Sequence, residues 1–169
     1  MPTTVKLNSL NLSNARTYLF ATLFIAGNLL LPQLAHFVPD GGKVLLPIYF
    51  FTLIGAYKYG IHVGILTALL SPVINSLLFG MPAMAVLPAI IIKSVLLAVA
   101  ASYTAKDFGK VSLLGILLAI LSYQLVGTGL EWLLTQDLSI ALQDFRIGIP
   151  GMLIQLFGGY FALKALEKV

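Results

Sequence analysis

The sequence predicts an all-α integral membrane protein: one domain over residues 1–169, folded as a bundle of six transmembrane helices with both termini on the inner side. Three observations predict it. Of 169 residues, 59% are hydrophobic and 9% charged, with a mean hydropathy of +0.99, whereas soluble domains are about 25% charged. The apolar residues form long continuous runs, not the alternation of a membrane β-barrel. The basic residues sit between the runs in a pattern that one orientation accounts for.

This composition excludes several classes. A soluble fold of this size cannot hide so much apolar surface, so a cytosolic globular enzyme, a disordered tail and a nucleic-acid module are ruled out. The net charge of +4 is scattered between apolar runs and reads as membrane topology, with the lipid bilayer as partner and no nucleic acid. No cysteine is present, which removes disulfide and thiolate chemistry. At about 20 residues per span, six spans use roughly 120 residues and leave no room for a soluble domain.

The elements follow in order. Residues 1–14 are polar and form an N-terminal arm. Span one covers 15–34. It lacks a clean small-residue cleavage site and is read as a retained span rather than a signal peptide. The segment His36–Lys43 holds Pro39, Asp40, Gly41 and Gly42, a turn signal. Span two, 44–57, is the shortest and ends at Lys58. Span three covers 60–78, and Gly80, Met81 and Pro82 form a tight turn. Span four covers 84–103 and span five 111–134. The loop 135–146 is amphipathic and reads as a short helix at the interface. Span six covers 147–166. With the N-terminus inside, Lys6, Arg16, Lys58, Lys106, Lys110, Lys164 and Lys168 fall inside, and only Lys43 and Arg146 outside.

Within lipid, small and polar residues mark helix contacts or cavities. Span three carries Gly60, Gly64, Thr67, Ser71 and Asn75; span five Gln124, Thr128, Glu131 and Thr135; span six Gly148, Gly151, Gln155 and Gly158. Plain packing accounts for the glycines and threonines, while Asn75, Gln124 and Gln155 fit packing and ligand contact equally. Lys93 stands apart. It sits midway in span four, where a charge costs about 2.5–3.5 kcal/mol on insertion scales. Glu131 is the only acidic residue inside an expected span and is its natural partner. Either the two form a structural pair, or Lys93 faces a cavity and holds a polar or anionic ligand. Asn75, Glu131, Trp132, Met81 and Pro82 fall toward the outer side, with Gln124, Lys93 and Gln155 deeper. The outer loops add His36, Asp40, Asp144 and Arg146. The polar groups thus converge on an outward pocket in which Trp132 and Tyr123 can stack on a ring, the composition of a small-molecule site.

Catalytic motifs are missing from the sequence: no H-E-x-x-H, no G-x-S-x-G and no Walker A. The two histidines, His36 and His62, fall on opposite sides of the expected membrane, which argues against a shared metal. The chain is expected to be no enzyme and to hold no cofactor.

The stretch GIHVGILTALLSPVINSLLFGMP (residues 60–82), followed by Leu87 and Pro88, resembles the substrate-binding S components of energy-coupling factor (ECF) vitamin transporters. GIPGMLIQ (residues 148–155) is similar to that family as well. The resemblance implies a bacterial inner-membrane protein that binds a vitamin or vitamin precursor on the outer side. It would dock on a transmembrane scaffold subunit with two cytoplasmic ATPases, ATP being used by these partners alone. The family's small-residue motif on the first helix implies a docking face at Thr22 and Ala26, with Ala21 beside it. Where relatives carry an acid on span four this chain has Lys93, which favours a ligand with a carboxylate or other acceptor. Cell-shape scaffold proteins resemble the same six-helix fold and need neither a polar pocket nor Lys93.

Overall fold

The computed structural model describes residues 9–167. Lys6, Lys168 and the first eight residues of the expected arm lie outside the described residues. The described chain is helical, with no strand among the described residues. Five helices are long and apolar enough to cross a membrane: Ala15–Ala35, Ile61–Phe79, Leu87–Phe108, Leu113–Thr135 and Ile149–Leu166. By length and composition this is a multi-pass membrane protein. Its surface agrees, since Leu19, Leu30, Leu77, Leu133 and Phe161 point outward, a density of exposed apolar side chains that water does not tolerate.

Helix α1 (Ala15–Ala35) begins at Asn14, whose side chain accepts from the Arg16 amide. The second expected span is not one helix. Residues 41–59 form a short α2 (Gly41–Leu45), a 3-10 turn (Pro47–Tyr49) and α3 (Phe50–Tyr59). The break has a local cause: Leu46 adopts a left-handed backbone (φ 47°) and Pro47 offers no amide hydrogen. With ten residues, α3 is about 15 Å long, half the hydrocarbon thickness of a bilayer. It works because it does not meet lipid. Every residue from Thr52 to Tyr59 is buried, and α1, α4 (Ile61–Phe79), α5 (Leu87–Phe108) and α10 (Gly159–Leu166) surround it. Irregular backbone at membrane depth is tolerated where protein covers it.

Both ends of α3 are tied to distant parts of the chain. Asn28 on α1 accepts from the Phe51 amide at 3.1 Å and so caps the start of α3. Its Nδ2 donates to Thr52 Oγ1 and Ser71 Oγ, and Thr52 in turn pairs with Ser94 on α5. At the far end Lys58 Nζ donates to the Leu166 carbonyl at 2.9 Å. Tyr57 Oη donates to the Lys110 carbonyl and accepts from the Ser112 amide. The Leu10 amide donates to the Tyr59 carbonyl. Close approach is needed here: a Cβ on Gly64 of α4 would lie 2.5 Å from the Ala56 Cβ on α3.

The remaining elements fall near the expected spans, with α5 beginning at Leu87 rather than at 84. It packs along α6 (Leu113–Thr135), the most extensive helix pair in the bundle. The amphipathic loop forms two short helices, α7 (Leu138–Ala141) and α8 (Gln143–Ile147); Asp137 caps the first and Arg146 donates to Ser139 Oγ. The last span is α9 (Ile149–Leu153), a π-helical turn (Ile154–Gly158) and α10. Such turns open the helical ladder and recur at functional sites.

Candidate functional site

Three elements bring charge together at one point. Lys93 Nζ on α5 lies 2.5 Å from Glu131 Oε2 on α6 and 2.8 Å from Asp144 Oδ2 on α8. The three side chains are 3%, 12% and 13% exposed. The lysine stem reaches the carboxylates by crossing Gly127 of α6, where a Cβ would stand 2.6 Å from Lys93 Cγ. Glycine is required at that crossing because any side chain would displace the stem.

A chain of polar side chains continues from this point. Gln124, Thr128 and Glu131 recur on one stripe of α6 at helical spacing. Gln124 Nε2 donates to Tyr123 Oη, and Tyr123 Oη donates to Gln155 Oε1 at 3.0 Å. Gln155 lies in the π-helical turn and is fully buried. The Tyr123 ring packs on Tyr49 with centroids 5.2 Å apart. Three buried polar atoms here have no partner in the protein: Gln124 Oε1, Thr128 Oγ1 and Gln155 Nε2. Unmet buried groups cost about 1–3 kcal/mol each and are rare in native proteins.

Gln155 also lines a cavity of about 250 Å³ between α1, the α2–α3 connection and the π-helical turn. Its other walls are apolar: Leu31, Leu34, Ala35, Leu45, Pro47, Phe50 and Ile154. Gln155 therefore stands between an apolar chamber and the polar cluster. Among the described residues no group of three or more His, Asp or Glu could hold a metal ion.

The sequence-expected residues divide accordingly. Lys93, Glu131, Gln124 and Gln155 belong to this cluster. Asn75 is buried but pairs with Gln33 on α1 at 3.4 Å, and no hydrogen bond ties it to Lys93. Trp132 and Met81 are 47% and 49% exposed and face outward, so neither closes a pocket wall. On α1, Thr22 and Ala26 are exposed, whereas Ala21 is 3% exposed and belongs to the core, which removes it from any docking face. Asp144, expected only as one of several polar groups on the outer loops, is the residue whose pairing the sequence did not reveal. It sits on α8, 51 positions from its partner Lys93.

Comparison with protein-family models, with curated proteins and with solved structures gives no match.

Proposed function

We propose that the chain is the membrane-embedded substrate-binding subunit of an ECF-type ABC importer in a bacterial inner membrane. It captures a vitamin or vitamin precursor from outside and delivers it with a scaffold subunit and two ATPases, performing no chemistry itself. The observation that carries this reading is the buried cluster around Lys93, whose neighbours Gln124, Thr128 and Gln155 hold unpartnered polar atoms. A bundle made only for support has no reason to leave three such atoms unmet. Six passes with both termini inside also fit. Hydrogen bonds gather Leu10, Tyr59, His62, Lys110 and Leu166 at one end of the bundle, and the basic bias puts that end inside. The Lys93 cluster then lies toward the outer face.

Co-expression with scaffold and ATPase subunits, gentle purification and mass spectrometry of the released small molecules tests the reading. A near-stoichiometric ligand and a stable four-subunit assembly are expected. Absence of both would overturn it. The competing reading is a cell-shape scaffold protein of the same six-helix architecture. It draws on one feature, that Lys93 clamps α5, α6 and α8 together without any ligand. On that reading the purified chain carries no small molecule.

A further inference from the structure

The Lys93 cluster is charge-unbalanced. One ammonium faces two carboxylates, so the formal charges sum to a surplus negative charge in a region of low exposure. The nearest basic side chain along the sequence, Arg146, is turned to Ser139 and does not help. Among the described residues no hydrogen bond reaches Glu131 Oε1 or Asp144 Oδ1. A lone lysine in the sequence argued for an anionic ligand; the second carboxylate reverses that argument.

We propose that this site takes a small organic molecule through a positively charged head group, an ammonium or amidinium, set against Glu131 and Asp144. The inference rests on the small-molecule-binding reading above and names its ligand class. Four features support it. The free carboxylate oxygens are acceptors only, and a cationic donor is their complement. Gln124 Oε1, buried and unpartnered one and two turns from Thr128 and Glu131 on the same stripe, is another acceptor in want of a donor. The Tyr49 and Tyr123 rings pack together with centroids 5.2 Å apart, Tyr123 hydrogen-bonded to Gln124 of the same stripe, and aromatic faces attract organic cations. Among the described residues no third His, Asp or Glu joins the two carboxylates, which disfavours an inorganic ion. Lys93 then acts as a fixed counter-charge that holds both carboxylates in place.

The test uses the full chain in detergent, with thermal unfolding read by intrinsic fluorescence. The probes are benzylammonium, benzoate and sodium chloride at matched ionic strength and neutral pH. Benzylammonium at about ten times a millimolar dissociation constant is expected to raise Tm by a few degrees, with no rise from benzoate or sodium. Asp144→Asn balances the cluster, so its own Tm is expected to equal or exceed that of the parent while the benzylammonium response disappears. Glu131→Gln is the second such variant and keeps the test valid if Asp144→Asn does not fold. A rise with benzoate overturns the cationic class and leaves the small-molecule-binding reading standing. A rise with sodium alone overturns it in favour of an inorganic ion. A full benzylammonium response in both variants places the binding elsewhere and also overturns it. No response to any probe overturns the inference, while the importer reading is still decided separately by the ligand and subunits that co-purify.

Discussion

Replacing Lys93 by methionine removes the only cation from the cluster and keeps most of the stem's volume against Gly127. Glu131 and Asp144 are left largely buried, at 12% and 13% exposure, on either side of the vacated ammonium position. Breaking a buried ion pair by deleting one partner costs about 3–5 kcal/mol. For a chain of this length about 1 kcal/mol corresponds to roughly 2–4 °C in Tm. Lys93→Met is therefore expected to lower Tm by roughly 6–20 °C. Removing charge stepwise should return it. Adding Glu131→Gln leaves one stranded carboxylate and a partial loss, and adding Asp144→Asn as well leaves none. The triple variant should melt within about 1–2 kcal/mol of the parent, since well-packed neutral side chains replace buried ion pairs at little cost. Trp132, the only tryptophan, follows Glu131 directly and reports unfolding of this region by fluorescence. If Lys93→Met alone melts with the parent, the ammonium does not hold the two carboxylates. If the triple variant melts no higher than Lys93→Met, the loss comes from packing rather than charge. Either result refutes the reasoning.

Three further outcomes are expected. Single cysteines placed in this cysteine-free chain should react with a membrane-impermeant maleimide from outside at Ser139→Cys and not at Lys110→Cys; the opposite pattern inverts the bundle. Asn28→Ala should cost about 1–3 kcal/mol in thermal melts, because it strips the Phe51 amide of its acceptor inside the protein; a parent-like Tm would mean that α3 needs no cap from α1. Ala26→Trp, on the exposed face of α1, should fold normally and fail to co-purify with scaffold and ATPases, whereas Ala21→Trp should fail to fold because position 21 is packed in the core; full assembly by Ala26→Trp removes this face from the interface.

Much of the helical layout was legible. Continuous apolar runs bounded by glycine, proline and charge placed α4 and α6 within two residues of their observed ends. Span two was not, because an apolar run reads the same whether it faces lipid or protein. What separates the cases is the turn at Leu46 and Pro47 and the four helices that enclose α3, and enclosure is a tertiary fact. At the site, Lys93 and Glu131 stood out because charge is expensive in an apolar run. Trp132 points outward because a helix turns about 100° per residue, which carries it away from the side on which Glu131 meets Lys93. Asp144 could not be paired with Lys93 from spacing, since a loop sets no fixed direction relative to a helix 51 residues earlier.

The enclosure of α3 orders the assembly of the chain in time. A ten-residue helix bearing Lys58 emerges from the ribosome before three of the four helices that enclose it have been made. It cannot be parked alone in lipid, being too short to span. The Lys58 ammonium must wait for the Leu166 carbonyl, 108 residues downstream. The bundle therefore closes last around its own centre, when the final helix docks. When α3 is made, the anchors already present are Asn28 of the first helix and the Leu10 amide. A membrane insertase or chaperone that shelters residues 41–59 during synthesis would protect the part of the chain whose enclosure is completed last.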